Sequence, residues 1–229
     1  MRSNIALAFF FCSILFVNCS KDDTKPDINP DPQPQGMYFP SSSSQEWETT
    51  SITELNWNAT AEQPMYDFLA ENDTKAFLIL KDGRIAVEKY FGTFNASKVH
   101  SWNSAAKTLT AFTVGIAQKE GLLSINNPSS NYMGIGWSSL TPEQEVKITV
   151  LNHLTMTTGL DYTVPVNFCT DKECLTYKND PNTYWYYHQA AYTLLDNIIT
   201  GAVQQDFKDY FNNKIRNKIG MSGSWLKTG

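Results

Sequence analysis

The sequence has few of the residues that build metal and nucleic-acid sites. It contains only four cysteines and three histidines in 229 residues, and its net charge is −5. The three histidines, His100, His153 and His188, do not form a metal-ligand spacing. Lys and Arg are not clustered, which argues against a nucleic-acid partner. With 41% hydrophobic and 13% aromatic residues, the composition is nevertheless that of a globular protein with a core.

One long apolar run is present, at the N-terminus. Residues 5–17 are apolar except for Ser13, and they follow Arg2. Their length is typical of a signal-peptide core and is too short to span a bilayer comfortably. An apolar core that runs into Cys19 resembles a lipobox, which predicts a lipoprotein signal peptide over residues 1–19 and lipidation of Cys19. An ordinary cleaved signal peptide or an N-terminal anchor helix is the alternative.

The residues after Cys19 predict a tether. The segment 20–23, Ser-Lys-Asp-Asp, resembles the export signal of outer-membrane lipoproteins in Bacteroidetes-type bacteria, although a solvated charge run is the alternative. Residues 24–36 contain four prolines and almost no apolar side chains, so they cannot bury a core. We therefore expect a linker over 20–36, a folded domain over 37–229, and an exported chain held to the outer membrane by lipid.

The remaining cysteines, Cys169 and Cys174, lie five residues apart in a loop-like segment. Disulfides form in the oxidising compartments that exported proteins reach, so a local disulfide is expected. A zinc site is the alternative, but it would need a second cysteine pair or a histidine cluster, which the sequence does not provide.

The secondary-structure pattern begins with a hairpin. Two β-rich runs, 76–80 and 85–91, flank Lys81-Asp82-Gly83-Arg84, and an Asp-Gly pair between such runs predicts a tight turn. Helices are then predicted over 104–120, 150–156, 188–203 and 206–219. In the first of these, the apolar stripe is expected at Ala105, Leu109, Phe112 and Ile116.

Ser104-Ala105-Ala106-Lys107 matches the pattern S-x-x-K at the start of a predicted helix. At this spacing both side chains lie on one helix face, so the Lys107 amine can approach the Ser104 hydroxyl. A serine hydroxyl is a weak nucleophile until a base takes its proton, and a lysine can be that base only if its pKa is lowered. An N-cap serine followed by a surface lysine is the alternative.

A second element lies downstream in an aromatic cluster. Tyr187 and Gln189 form a Tyr-x-Gln where penicillin-recognising enzymes carry Tyr-x-Asn. A nearby lysine would lower the pKa of Tyr187 and suit it to general acid–base work. Core packing is the alternative for the cluster, and we expect Trp185, Tyr186 and Tyr192 mostly to pack.

These segments together resemble the serine β-lactamase-like superfamily, and most closely its class C-like branch, which includes 6-aminohexanoate-oligomer hydrolases. Further segments that carry the resemblance are 77–83, 115–122, 154–160 and 219–221. The resemblance implies an α+β fold of the β-lactamase/transpeptidase type, with an antiparallel sheet flanked by helices and a helical subdomain. It covers about residues 38 to 225.

The resemblance also implies a reaction. Ser104 would attack an amide or ester carbonyl and form an acyl-enzyme, Lys107 and Tyr187 would transfer protons, and Gln189 would contact substrate. The substrate would be a small or short oligomeric amide or ester, with no cofactor and no metal. A dd-carboxypeptidase or β-lactamase is the alternative within enzymes, and a truncated, non-catalytic surface-binding lipoprotein is the alternative outside them.

The family's third motif, Lys- or His-x-Gly on a strand, is not expected in this chain. Lys227-Thr228-Gly229 spells it, but no strand pattern precedes it and it follows directly on 220–221. We interpret the match as coincidence. The sheet is accordingly expected to be incomplete, because the family's C-terminal strands would follow.

Overall fold

The computed structural model describes residues 36–44 and 46–226 of the chain. The predicted signal peptide 1–19, with the lipidation site Cys19, and all of the linker except its last residue, Gly36, lie outside the described residues. The segment 227–229 lies outside them as well. Within the described part, no helix is both long enough and apolar enough to cross a membrane.

The predicted hairpin is confirmed. Strand β1 (Ala76–Lys81) pairs antiparallel with β2 (Arg84–Tyr90), and Lys81 lies opposite Arg84. Asp82 and Gly83 have φ values of 50° and 83°, both positive as a two-residue type I′ turn requires. Among the described residues these two strands are the whole sheet, and a single bridge between Thr49 and Ile85 lies along the outer edge of β2.

Helix α1 (Glu62–Glu71) precedes the hairpin and was not predicted from the sequence. It follows a 3₁₀ turn, Ala59–Ala61, whose N-cap Asn58 accepts a hydrogen bond from the Thr60 N–H. None of its residues is buried, and Phe68 is largely exposed. Its half-buried residues Met65, Tyr66 and Leu69 have the spacing of one helix face, a periodic signal that the sequence-based prediction overlooked. We call residues 46–91, which contain α1 and the two strands, the hairpin region.

The rest of the described chain is mainly helical. Helix α2 spans Lys107–Lys119 and follows a 3₁₀ turn at Asn103–Ala106. The later helices are α3 (Ser130–Met133), α4 (Pro142–Glu145), α5 (Val150–Thr155), α6 (Gln189–Thr193), α7 (Leu195–Val203) and α8 (Phe207–Phe211). A 3₁₀ turn lies at Lys172–Cys174, and a π-helical turn at Asn212–Arg216 follows α8. We call residues 103–219 the helical region.

The predicted helix 188–203 is two helices that meet at Leu194, and the predicted helix 206–219 is shorter and ends in the π-helical turn. Helix α7 is the centre of the core, with Leu195, Ile198 and Ile199 fully buried. Around it pack α2, α3, α5 and α8. Gly201 lets α7 approach α3 closely, because a Cβ at this position would lie 1.9 Å from the Tyr132 carbonyl oxygen.

The apolar stripe predicted for α2 is right at two of its four positions, because Leu109 and Ile116 are half-buried and pack against the core cluster. It is wrong at the other two. Phe112 is 61% exposed and Ala105 is also exposed. The buried positions are instead Thr110, Thr113, Val114 and Ala117. A hydrophobicity pattern could not identify this buried face, because two of its four residues are threonines. Thr113 can be buried because its hydroxyl donates to the Leu109 carbonyl, 2.7 Å away, within the helix itself.

Helix α5 ties the core to the segment that carries the candidate site. Its Thr149 N-cap and Asn152 form a capping box. His153 is fully buried, and its Nδ1 donates to the Ala191 carbonyl oxygen of α6 at 2.7 Å. The sequence-based view of His153 as a core contact is therefore confirmed. Because Ala191 is two residues from Gln189, this bond helps to fix the start of α6.

Candidate active site

Ser104 and Lys107 lie on adjoining turns at the start of α2. Ser104 is in the 3₁₀ turn and Lys107 is the first residue of the α-helix. Their three-residue spacing brings Lys107 Nζ to 3.3 Å from Ser104 Oγ. Ser104 is exposed and Lys107 is half-buried, so an entering substrate can reach the hydroxyl while the amine is partly withdrawn from water.

Tyr187 and Gln189 reach the same point from more than eighty residues away. The Tyr187 hydroxyl oxygen lies 2.7 Å from Ser104 Oγ, and Lys107 Nζ donates to Gln189 Oε1 at 3.0 Å. Gln189 opens α6, and Tyr187 lies two residues before it, in a segment without helix or strand. The fold thus brings all four predicted residues into one hydrogen-bonded cluster around Ser104 Oγ and Lys107 Nζ.

The aromatic rings around Lys107 hold its amine in place. Nζ lies 5.2 Å from the ring centre of Tyr187 and 5.6 Å from that of Tyr192. Both distances suit attraction between a cation and an aromatic face. The Tyr192 hydroxyl also donates to the Lys107 carbonyl oxygen at 2.8 Å. Tyr192 is buried, as predicted, and it supports the site in a way that sequence reasoning missed.

The environment of Tyr187 favours its ionised form. The hydrogen bond with Ser104 is the largest cause that lowers the pKa of Tyr187 below its ordinary value. Burial opposes this shift, and the neighbouring Lys107 adds to it. A tyrosine whose pKa is lowered by hydrogen bonding and a nearby positive charge is a better base near neutral pH.

A cavity of about 100 Å³ adjoins Lys107. Lys107 and Gln189 line it together with Thr110, Trp225 and Leu226, among others. The site therefore has an open face at Ser104 and a polar recess beside the amine. Ser104 itself does not line this recess.

Two of the three packing expectations for the aromatic cluster hold. Tyr192 is buried, and Tyr186 is half-buried and stacks on Tyr162 with ring centres 4.0 Å apart. The expectation for Trp185 is wrong, because its side chain is 61% exposed. Tyr186 lines a small recess with Tyr162, whereas its neighbour Trp185 does not.

Cys169 and Cys174 are joined as a disulfide, with Cα atoms 5.9 Å apart. Within the described residues, no group of three or more His, Cys, Asp and Glu side chains is placed to hold a metal ion. The disulfide closes the loop before α6. Near it, the Asn167 carbonyl oxygen accepts a hydrogen bond from the Ala190 N–H at 3.1 Å. This contact, which the sequence did not signal, links the loop to the helix that carries Gln189.

The chain matches the family model "Beta-lactamase" over residues 70–229. A search of curated proteins found no significant match. Among solved structures, a Bacteroides dorei protein assigned as a β-lactamase superposes with a TM-score of 0.59 at 17% identity, covering 72% of this chain and 52% of that one. A penicillin-binding protein homologue from Pyrococcus abyssi gives 0.55 at 22% identity, covering 71% and 43%.

A third solved structure, FmtA from Staphylococcus aureus, gives a TM-score of 0.51 at 16% identity and covers 76% of this chain and 50% of that one. The chain thus spans about half the length of the solved relatives that it matches. At these identities the structures show a shared fold, and the family match over most of the chain shows descent. The incomplete antiparallel sheet beside helices is the predicted α+β architecture. The chain belongs to the β-lactamase family, within the serine β-lactamase and transpeptidase-like superfamily of hydrolases.

Proposed function

We propose that this chain is a serine hydrolase that cleaves a small or short oligomeric amide or ester through an acyl-enzyme on Ser104. One observation carries the proposal. Ser104 Oγ lies 2.7 Å from the Tyr187 hydroxyl and 3.3 Å from Lys107 Nζ. A hydroxyl that is open to solvent and bonded to a potential base fits an activated nucleophile better than a structural helix cap.

The reaction follows from these contacts. Tyr187 takes the Ser104 proton as Oγ bonds to the carbonyl carbon, and the positive charge of Lys107 stabilises the phenolate that serves as base. Tyr187 then gives the proton to the departing alcohol or amine, and the acyl group stays on Oγ. Water then attacks the carbonyl carbon of the acyl-enzyme ester and gives a proton to Tyr187. Tyr187 returns this proton to Ser104 Oγ as the carboxylic acid leaves.

Gln189 has a positioning role in this proposal. Its Oε1 accepts from Lys107 Nζ at 3.0 Å and so keeps the amine between the two hydroxyls. Its side-chain amide group would also be a donor to substrate. No metal or cofactor enters the steps.

Covalent labelling tests the proposal. The purified 229-residue chain is treated with a fluorophosphonate probe and weighed as the intact protein, with Ser104→Ala as the matched control. We expect a single adduct on the native chain and none on the variant. A cooperatively folded chain that forms no adduct would contradict the hydrolase and favour a relative that only binds its ligand.

The pH dependence tests the role of Tyr187. A base works only when deprotonated, so labelling should rise with pH through the pKa of Tyr187, which lies below the ordinary tyrosine value. Tyr187→Phe should lower the labelling rate by about 10² to 10⁴ and remove that rise. A variant that kept the native pH profile would exclude Tyr187 as the base.

Treatment with penicillin in place of the fluorophosphonate, again followed by intact mass, tests whether the substrate is penicillin-like. A dd-carboxypeptidase or β-lactamase would acquire a penicilloyl adduct on Ser104, whereas an esterase or amidase of the oligomer-hydrolase type would turn over simple esters and short amides. We favour the esterase or amidase over the penicillin-recognising enzymes, because those enzymes have asparagine at the position of Gln189.

We further propose that the chain is exported and lipid-anchored at Cys19 in the outer membrane. The apolar run 5–17 that leads into Cys19 supports this, together with the Pro-rich segment that follows it. Labelling of cells with a clickable fatty acid should mark the native chain and not a Cys19→Ala variant. Equal labelling of both would overturn the anchor.

A further inference from the structure

Trp185 has an exposed indole in the segment that carries Tyr187. Its side chain is 61% exposed, the largest exposed fraction among the described tryptophans. Within the described part of the chain, the indole has neither an aromatic ring partner nor a hydrogen bond. The residue is only two positions before Tyr187, whose hydroxyl is bonded to Ser104.

The neighbouring side chains determine the side to which Trp185 points. Tyr184, Tyr186 and His188 all line one small recess with Tyr162, and the rings of Tyr184 and Tyr186 both stack on that of Tyr162. The recess thus takes the side chains at positions 184, 186 and 188 and leaves out those at 185 and 187, which is the alternation of an extended chain. Trp185 and Tyr187 therefore share the other side, where Tyr187 meets Ser104. Their Cα atoms are about 7 Å apart at the usual rise per residue of an extended chain.

The two sides of this segment differ in the contacts that their aromatic rings make. On the side of Tyr162, the rings stack on one another, and Lys178 Nζ lies 4.8 Å from the Tyr162 ring centre. On the side of Tyr187, the indole of Trp185 is exposed to solvent. A large exposed apolar surface at the edge of a site is a place where ligand contacts are made.

We infer that Trp185 is a specificity-determining residue that stacks on a flat apolar group in the leaving-group half of the substrate. The inference rests on the proposed function, in which Tyr187 gives its proton to the leaving group. The departing alcohol or amine must then lie on the Tyr187 side of Ser104, and Trp185 occupies that side. The substrate class is an ester or amide of an aromatic or similarly flat alcohol or amine, such as a benzyl derivative.

The first test compares two acetate esters that differ only in the alcohol. Trp185→Ala should lower kcat/KM for benzyl acetate by about fivefold to tenfold and leave ethyl acetate within about twofold. Most of the loss should appear in KM, since stacking on the leaving group holds substrate and transition state alike. Trp185→Phe should retain most of the preference, and Trp57→Ala is the control for removal of another exposed tryptophan.

A loss of equal size for both esters would overturn the inference, because it would assign Trp185 a general structural role. An unchanged preference for benzyl acetate would overturn it too.

The second test does not require catalysis. Binding of N-benzylacetamide and of N-ethylacetamide is measured by ligand-observed NMR on the Ser104→Ala chain, with and without Trp185→Ala. We expect the benzyl compound to bind more tightly and to lose that advantage without the indole. If neither compound distinguishes the two proteins, the stacking surface is refuted, whatever labelling of Ser104 shows. If the native chain hydrolyses no ester while the indole-dependent binding holds, the proposed function fails and the stacking surface stands.

Discussion

The hairpin region and the helical region of this chain differ in how they are held together. In the hairpin region, Val87 is the one buried apolar side chain among the described residues, with 6% of its surface exposed, and Leu78 and Leu80 are about half exposed. In the helical region, the core around α7 is closed to solvent. The difference teaches that backbone pairing and turn chemistry suffice to define a hairpin, whereas a cluster of side chains from distant segments needs packed neighbours.

The candidate site belongs wholly to the helical region. Ser104 and Lys107 begin α2, and Tyr187 and Gln189 lie at the start of α6. These two helix starts are both anchored to the core, through Thr110 of α2 and through Ala190 and Ala191 of α6. Changes to the helical core should therefore reach the site, and changes to the hairpin should not.

The largest effect is expected from Leu195→Ala at the centre of α7. Leu195 is 0% exposed and lies in the main core cluster, so removal of its side chain leaves a cavity. The free energy of unfolding should fall by about 3 to 5 kcal/mol. Leu80→Ala, at a residue of β1 that is 47% exposed, is the matched control and should cost less than about 1 kcal/mol. Urea unfolding measures the loss of unfolding free energy in both variants. Equal losses would contradict the view that the two regions differ in how tightly they are packed.

Acid should weaken the helical core through His153. Burial lowers the pKa of His153 to about 4 from its ordinary 6.5, so the folded state holds it neutral. The unfolded chain binds this proton more readily, so the stabilisation is present above pH 6.5 and is lost as pH falls towards 4. The loss from this group is roughly 3 kcal/mol.

The measurement is urea unfolding at pH 7.5, 5.5 and 4.5 on the native chain and on His153→Gln. Burial also lowers the pKa of His188, which adds a change in the same direction in both proteins. The variant should be less stable at pH 7.5 but should lose less stability on acidification. If the native chain and the variant lose the same amount, titration of His153 does not contribute.

Loss of the disulfide should have a smaller and local effect. The Cys169–Cys174 bridge closes a short loop, and its removal should cost about 2 kcal/mol. Because the nearby Asn167 carbonyl accepts from the Ala190 N–H, the start of α6 should loosen and fluorophosphonate labelling of Ser104 should slow severalfold. A Cys169→Ser, Cys174→Ser double variant should match the reduced native chain and should not respond to dithiothreitol. Labelling that is indifferent to the bridge would show that the loop does not position Gln189.

The smallest effect is expected in the hairpin region, from Gly83→Ala. Gly83 has φ +83°, and a Cβ there would lie 1.9 Å from the Tyr38 carbonyl oxygen. The turn should become strained by about 1 kcal/mol, and the segment at Tyr38 should shift. Hydrogen exchange should increase in β1 and β2 only, while labelling of Ser104 is unchanged. Faster exchange in α7 would show that the two regions unfold as one unit.

Local signals predicted some elements well and others not at all. Asp82-Gly83 specified the hairpin because a type I′ turn needs two residues that tolerate positive φ. The stripe on α2 was half wrong because Thr110 and Thr113 are buried polar side chains, which a hydrophobicity pattern counts as surface. Helix α1 was missed although Met65, Tyr66 and Leu69 form a half-buried stripe along it.

The sequence by itself determined which side chains are present for the candidate site. The three-residue spacing of Ser104 and Lys107 places them on one side of a helix start, and Tyr187 and Gln189 were recognisable from their motif. Only the tertiary structure decided that all four meet, with Tyr187 at 2.7 Å from Ser104 Oγ across more than eighty residues of chain. It also decided that Trp185 faces solvent while Tyr186 packs. The physical reason is that spacing fixes contacts within one turn of a helix, whereas long-range contacts depend on how α6 and α7 pack against α2.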